Sequence, residues 1–346
     1  MHFELNEDVN PKQQINLSSE CWRCIENDLL FFSYGNKLKL NGLLNLIVVN
    51  YWQDAQASIS RRLDDAKREY EKTLGSMCSI AGANNKTVLD RLLDRKAREL
   101  KGAIRNPQKG IGKKLRINKE LYTILSEQCE EKDHYSSLGK YLHALYEEYA
   151  ALPYNERERI VFKESINTVE EAIMLGKCIE LRLGEKTHII RPYKVINDSK
   201  TGYNYIVGIY SEGTACGETA LFRVSRLSEI KKQIGSDGRI SPMEADSLEE
   251  KIRECGTAYI ISNVVEVKVL LSEEGEKTYA KKQTGRPDHI HKQHYNEQWT
   301  MYYFHCTEYQ AKNYFLPFGE HAVVTAPESL AKEMADSYRK ALKNYK

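Results

Sequence analysis

Residues 12–16 read Lys-Gln-Gln-Ile-Asn, and residues 113–118 read Lys-Lys-Leu-Arg-Ile-Asn. In both segments polar and apolar side chains alternate, which is typical of a β-strand with one buried face. Two stretches of helical period follow each segment, at residues 17–34 and 41–55 in the first case and at residues 119–129 and 136–152 in the second. The pattern predicts two copies of one unit, each in the order strand, helix, helix.

Neither copy can bury the apolar face of its strand alone. Antiparallel pairing of the two strands, with the four helices interlocked beneath them, would bury that face within one chain. Aligning Ile15 with Ile117 places one set of side chains on the core face: Gln13, Ile15, Leu17, Leu115, Ile117 and Lys119. The alternate set then points outward: Lys12, Gln14, Asn16, Lys114, Arg116 and Asn118.

The outward set has the chemistry of a side-chain array that contacts nucleic acid. Arginine can bind guanine through two hydrogen bonds, asparagine and glutamine can bind adenine in the same way, and lysine can bind phosphate. Residues 101–119 add a positive segment, with seven lysine or arginine side chains and no acidic one. A solvated strand face would also be polar, so both interpretations stay open at this point.

The two copies resemble the ribbon-helix-helix family, the second copy more than the first. This resemblance implies a helical N-terminal domain, residues 1–158, that consists of tandem ribbon-helix-helix-like copies with a helical insertion. It also implies that the paired strands form a ribbon able to contact nucleic acid.

Residues 159–237 change to short alternating runs separated by turn residues, which predicts a small twisted sheet of about five strands. Their landmarks, Pro192-Tyr193, then Asn204-Tyr205-Ile206, then Arg223 and Arg226, resemble the WYL domain in order. Asn204 stands where the tryptophan of that family would be. The resemblance implies an SH3-like or Sm-like β-barrel with a groove for nucleic acid, usually single-stranded. Carried onto this chain, the groove residues are Tyr193, Tyr205, Arg223 and Arg226, with Arg191 and Lys194 as neighbours.

Residues 238–346 alternate strands and helices at the length of a ferredoxin-like module. They end in a strand, the segment Pro327 to Leu330 and a final helix, and so resemble the C-terminal extension of many WYL domains. That extension implies a homodimer or a cover for the ligand groove. The expected fold class of the whole chain is α+β.

All three regions together resemble the WYL accessory proteins encoded beside type VI-D CRISPR effectors, which cut RNA. The resemblance implies a protein without catalytic activity or cofactor that binds single-stranded RNA and enhances a CRISPR effector ribonucleoprotein. The alternative is a transcription regulator that binds duplex DNA through the ribbon and senses a ligand or nucleic acid with the barrel.

Composition limits the remaining classes. The 346 residues are 41% hydrophobic and 29% charged, with no apolar run near the roughly 18 residues of a membrane helix. The polar, acidic first ten residues differ from a secretory signal, so we expect a cytoplasmic protein.

Cys21 and Cys24 have the spacing of a redox pair or half a zinc site, and His289, His291 and His294 could bind a metal ion together. Without a second cysteine pair or a neighbouring cysteine or carboxylate cluster, inward-packed cysteines and exposed histidines are favoured.

Overall fold

The computed structural model describes residues 12–36, 38–77, 85–100, 110–117, 119–131, 137–232 and 237–345. The chain divides into two units, residues 1–163 and residues 164–346. Within the described ranges, no helix is long and apolar enough to cross a membrane.

The first unit is mainly helical and contains one pair of strands among its described residues. Its elements are β1 (Lys12–Leu17), α1 (Ser19–Asn36), α2 (Leu40–Met77), α3 (Asn85–Leu100), β2 (Ile111–Arg116), α4 (Lys119–Glu131), α5 (Leu138–Ala151) and α6 (Tyr154–Val161). Strands β1 and β2 pair antiparallel, with Gln14 opposite Lys114 and Ile15 opposite Lys113. We call this pair the ribbon. Each of its strands is followed by two helices, as the repeat predicts.

The apolar face of the ribbon packs into the helices. Ile15, Leu17, Leu115 and Ile117 are fully or almost fully buried. Gln13 is only half-buried, and Lys119 is exposed, so the prediction of a core position for Lys119 is wrong. The reason is that β2 ends at Arg116 and Lys119 begins α4, where strand alternation no longer applies.

One serine joins the two copies. The Ser18 side chain accepts a hydrogen bond from the Cys21 backbone N–H at 3.1 Å, which satisfies a free donor at the start of α1. The same hydroxyl donates to one carboxylate oxygen of Glu147 on α5 at 3.0 Å, and the Ser18 backbone N–H donates to the other at 2.9 Å. The first helix of copy one is therefore fixed to the second helix of copy two.

A buried carboxylate lies in the helical core. Asp28 on α1 has no exposed surface, and both of its oxygens are paired. Arg157 on α6 donates to them from Nε at 2.7 Å and from Nη2 at 3.0 Å, and the Tyr149 hydroxyl donates at 2.8 Å. A buried charge is tolerated only with such partners, so this cluster connects α1 to α5 and α6.

The second unit begins with α7 (Lys163–Met174) and a five-stranded antiparallel sheet. The strands are β3 (Ile179–Leu183), β4 (Lys186–Asp198), β5 (Tyr203–Tyr210), β6 (Thr219–Arg223) and β7 (Glu229–Lys232), in the spatial order β6-β5-β4-β3-β7. A 3₁₀ turn at Val224–Arg226 separates the last two strands, and each of them pairs with a different neighbour. No ladder among the described residues joins β6 to β7, so the predicted barrel is not closed by hydrogen bonds.

A second sheet follows α8 (Pro242–Cys255). Its elements are β8 (Val264–Leu271), α9 (Glu273–Lys281), β9 (His289–Asn296), β10 (Trp299–Thr307), α10 (Glu308–Phe315), β11 (Ala322–Ala326) and α11 (Glu328–Lys343). The four strands are antiparallel in the spatial order β11-β8-β10-β9. This element order, strand-helix-strand-strand-helix-strand, is that of a ferredoxin-like module. The chain is thus α+β, and the boundaries predicted at residues 158 and 237 stay predictions.

Candidate nucleic-acid interface

The outer face of the ribbon carries cations and amides. Lys12, Gln14, Asn16 and Lys114 are exposed, and Arg116 is half-buried. Lys12 lies opposite Arg116 and Gln14 lies opposite Lys114. Like charges directly opposite one another repel, and a bound phosphate would relieve that repulsion. Asn118, the sixth residue predicted for this face, and most of the positive segment before β2 lie outside the described residues.

Side chains from the helices hold the ribbon backbone in place. The Asn41 side chain accepts a hydrogen bond from the Arg116 N–H at 3.0 Å, and the Asn45 side chain donates to the Arg116 carbonyl at 2.8 Å. Gly139 of α5 lies so close to β1 that an added Cβ would stand 2.8 Å from the Gln14 carbonyl oxygen. The ribbon is therefore backed by α2 and α5.

Lys113 belongs to the other face of the ribbon. It lies opposite the buried Ile15, and its ammonium stands 4.1 Å from the centre of the Trp22 ring. This cation–π contact explains how a lysine is accommodated at the rim of the core. Lys113 is therefore a packing residue, unlike its neighbour Lys114.

The first sheet of the second unit presents an arginine stacked on a tyrosine. The guanidinium carbon of Arg223 lies 3.4 Å from the centre of the Tyr203 ring. The Tyr205 residue is the register partner of Arg223 on β5, and its ring centre is 6.5 Å from that of Tyr203. Phe222 is buried on one face of β6, so strand alternation places the half-buried Arg223 on the other face, which it shares with Tyr205.

We call Tyr203, Tyr205, Arg223 and Arg226 the tyrosine–arginine face. Arg226 is exposed in the 3₁₀ turn that follows β6. Burial raises the pKa of Tyr205, which is half-buried, so its phenol is neutral at physiological pH. Sequence reasoning missed Tyr203, although its position two residues before Tyr205 places both on one strand face.

Asn204, where the sequence resemblance would place a tryptophan, faces inward in this chain. Asn204 is completely buried, and it lies between Tyr203 and Tyr205 on β5. Because neighbouring residues of a strand point to opposite faces, Asn204 cannot present a surface for stacking beside them. The aromatic surface here comes from Tyr203.

Three residues predicted for the groove are held by carboxylates of α8 instead. Arg191 forms a two-pronged ion pair with Glu244, with N···O distances of 2.6 and 3.1 Å. The Tyr193 hydroxyl and the Lys194 ammonium both donate to Glu249, at 2.8 and 3.2 Å. In Arg191, Tyr193 and Lys194 these contacts compete with a nucleic-acid phosphate.

The Arg191–Glu244 pair should make the fold sensitive to acid. The Arg191 guanidinium and two hydrogen bonds from Ser241 lower the pKa of Glu244 from 4.5 to about 2. A depressed carboxyl pKa contributes stability that is present above about pH 4.5 and is lost as the pH falls toward 2. We expect Glu244→Gln to lower the thermal midpoint at pH 6, and the difference from wild type to shrink as the pH falls below 4.5.

Glu250→Gln is the matched control, because Glu250 is on the same helix and its ion pair with Arg253, with an N···O distance of 3.8 Å, is exposed. Its midpoint should follow that of the wild type throughout. A Glu244→Gln midpoint that also stays parallel to wild type from pH 6 to pH 2 would contradict the role given to the pair.

The cysteine and histidine candidates have structural contacts. Cys21 is buried, and burial together with the Asp28 carboxylate raises the pKa of Cys24 to about 11, which disfavours its thiolate. His289 and His291 lie on β9 against the rings of Tyr279 and Tyr303, with 4.0 Å between the ring centres of His291 and Tyr303. Among the residues with described placement, no three histidine, cysteine or carboxylate side chains are grouped to hold a metal ion.

Comparison with known proteins identifies one region by sequence and the fold by structure. Residues 263–342 match the WCX domain. A solved structure described as a CRISPR Cas-related protein aligns with this chain at a TM-score of 0.68 and 21% sequence identity. The alignment covers 100% of this chain and 96% of the other, so the two share a fold. Proteasome accessory factor B/C of Arthrobacter aurescens aligns with a TM-score of 0.27 and 12% identity over 51% of its length, too low to indicate a common fold. No curated protein matches the sequence.

Proposed function

We propose that the protein is a non-enzymatic accessory that binds single-stranded RNA through the tyrosine–arginine face. The observation that carries the proposal is the Arg223 guanidinium stacked 3.4 Å from the centre of the Tyr203 ring. Single-stranded nucleic acids are bound by surfaces that combine aromatic rings, on which bases stack, with cations that follow the phosphates. Tyr203 and Tyr205 offer the rings, and Arg223 and the exposed Arg226 offer the cations.

We further propose that the RNA-bound protein assists an RNA-guided CRISPR effector nuclease. The shared fold with a protein described as CRISPR Cas-related supports this context. The proposed role requires an RNA site and a surface for the effector, and it requires no catalytic group. A homodimer remains the proposed assembly.

A competition experiment tests the proposal. Labelled single-stranded RNA bound to the full chain is challenged with unlabelled single-stranded RNA, single-stranded DNA and duplex DNA of the same sequence at one salt concentration, because phosphate contacts make affinity depend on salt. We expect single-stranded RNA to compete best. Displacement by duplex DNA at lower concentration than by either single strand would favour a different function.

That second function is transcription regulation through duplex DNA, and the outer face of the ribbon is the observation that favours it. A two-stranded ribbon fits the major groove of B-DNA, whereas the deep, narrow major groove of an A-form RNA duplex excludes side chains. Lys12, Lys114 and Arg116 are phosphate-binding types, and Gln14 and Asn16 can reach base edges.

Replacing Lys114 and Arg116 by alanine distinguishes these uses of the ribbon. The change removes two outward cations and leaves the buried Leu115 in place. If both contact phosphates, the slope of log affinity against log salt should shrink by about 0.9 per contact on duplex DNA or about 0.7 on single strands. A change on duplex DNA alone would favour the regulator.

The matched control is Lys67→Ala with Lys72→Ala, which removes the same charge from exposed positions on α2. This control should leave the salt slope unchanged on every nucleic acid. If the ribbon variant behaves like the control on all of them, the ribbon is a scaffold and its outward polar residues are merely solvated.

A further inference from the structure

We propose that Tyr309 of α10 is a further base-stacking residue, so that a bound single strand runs from the first sheet of the second unit onto the WCX region. This inference rests on the proposed function. It adds a binding residue that is more than 100 positions from Tyr203 in the sequence. Two pairs of neighbouring rings, Tyr203 with Tyr205 and Tyr259 with Tyr309, mark the proposed path.

A row of tyrosines leads from the tyrosine–arginine face to α10. Tyr259 packs in one apolar cluster with Val207 of β5 and with Ile196, the register partner of Tyr205 on β4. Tyr259 is 8% exposed, and its ring centre lies 6.2 Å from that of Tyr309, which is 60% exposed. The buried ring therefore links the sheet face that carries Tyr205 to an exposed ring on α10.

The protonation of Tyr259 agrees with this placement. Burial raises the pKa of Tyr259 to about 12, and the Asp198 carboxylate and the Tyr205 and Tyr309 hydroxyls act in the same direction. Tyr259 is therefore a neutral ring with Tyr205 and Tyr309 as neighbours. Burial also raises the pKa of Tyr205, so the rings of Tyr205 and Tyr259 are both uncharged at physiological pH.

The backbone around Tyr309 is fixed while its ring is exposed. The Thr307 side chain caps α10 by accepting a hydrogen bond from the Gln310 N–H at 3.1 Å. The Asn313 side chain donates to the Tyr309 carbonyl at 2.9 Å. On the other side of Tyr259, a Cβ added to Gly285 would lie 2.9 Å from the Tyr259 hydroxyl, so the loop packs closely against that ring. Because the backbone of Tyr309 is fixed and its ring already contacts Tyr259, the side chain loses little conformational freedom when a base stacks on it.

Charge is distributed unevenly along the row. Arg223 and Arg226 lie at one end, whereas the loops near Tyr259 carry an ion pair between Lys200 and Asp288 with an N···O distance of 3.1 Å. Lys200 reaches this region because its carbonyl accepts a hydrogen bond from the Gly285 N–H at 3.1 Å. Phosphate contacts should therefore come from the arginine end, and Tyr309 should contribute by stacking.

The test measures RNA affinity of the full chain with Tyr309→Ala and Tyr309→Phe, using single-stranded RNA of about four and about twelve nucleotides. We expect the alanine variant to bind the longer RNA about fivefold or more weakly, with an unchanged salt slope. Phenylalanine should preserve affinity because it keeps the ring. Tyr295→Ala is the matched control, since Tyr295 on β9 is 58% exposed and has no ring contact among the described residues.

The outcomes separate this inference from the function on which it rests. A loss with Arg223→Ala but none with Tyr309→Ala on either RNA would overturn the inference and leave the proposed function in place. Equal losses from alanine and phenylalanine would overturn stacking in favour of the hydroxyl. If the wild-type chain binds no single-stranded RNA, both proposals fail. A melting curve of each variant checks that the α10 region stays folded.

Discussion

Replacing Arg223 and Arg226 by alanine together should weaken binding of single-stranded RNA at least about tenfold, which corresponds to about 1.4 kcal/mol. Hydrogen bonds to charged groups contribute about 1.5 to 3 kcal/mol each, and exposure to solvent reduces that value. The fold should survive, because Arg226 is exposed and the cation–π contact of the half-buried Arg223 with Tyr203 contributes about 0.5 to 2 kcal/mol. Fluorescence anisotropy at one salt concentration measures the change.

Two further variants define what the arginines do. Lys186→Ala with Lys231→Ala removes the same charge from exposed positions of the same sheet and should leave affinity nearly unchanged. Arg223→Lys keeps the charge but loses the planar group that stacks on Tyr203, so its affinity should fall between those of wild type and Arg223→Ala. Unchanged affinity in the Arg223→Ala, Arg226→Ala double variant would remove this face from the RNA site.

The largest effect on stability should come from Asp28→Ala, which is expected to lower the free energy of unfolding of the helical unit by about 3 to 5 kcal/mol. The substitution leaves the Arg157 guanidinium, 13% exposed, without its carboxylate, and the Tyr149 hydroxyl without its acceptor. An unpaired buried charge costs far more than the lost contact alone. Urea denaturation followed by circular dichroism measures the change.

The control is Asp65→Ala, which breaks an ion pair with Arg68 of 2.5 Å on the exposed part of α2. Because both side chains are solvated, the expected loss is below about 1 kcal/mol. The double variant Asp28→Ala, Arg157→Ala should lose less than the sum of the two single variants, because it leaves no unpaired charge. Strict additivity would show that Asp28 and Arg157 do not stabilise one another.

Local patterns in the sequence predict the ribbon and its two faces well. Strand alternation alone separates Gln14 and Lys114 from Ile15 and Leu115, since neighbouring side chains of a strand point to opposite faces. The same rule fails at Lys119, because α4 has begun there. Sequence patterns thus work where one secondary-structure element determines the environment.

The partners of residues in and near the candidate RNA site could not be predicted from local sequence patterns. Arg191 and Lys194 have the residue types of a phosphate site, but their carboxylate partners on α8 are 53 and 55 residues later in the chain. Tyr309 joins the row of rings only because the fold brings α10 to Tyr259. Contacts between distant segments depend on tertiary packing, which periodicity does not encode.

The ribbon has two strands of different sequence on one polypeptide. Its pairing is therefore a unimolecular event that dilution cannot reverse, in contrast to a ribbon shared by two chains, whose assembly follows mass action. A ribbon made from two identical chains also presents the same side chains twice, related by a twofold axis. Here Lys12, Gln14 and Asn16 lie opposite Arg116, Lys114 and Gly112, so the surface has no such symmetry. A molecule bound across this ribbon would meet two different halves, and a palindromic target would gain nothing from its symmetry.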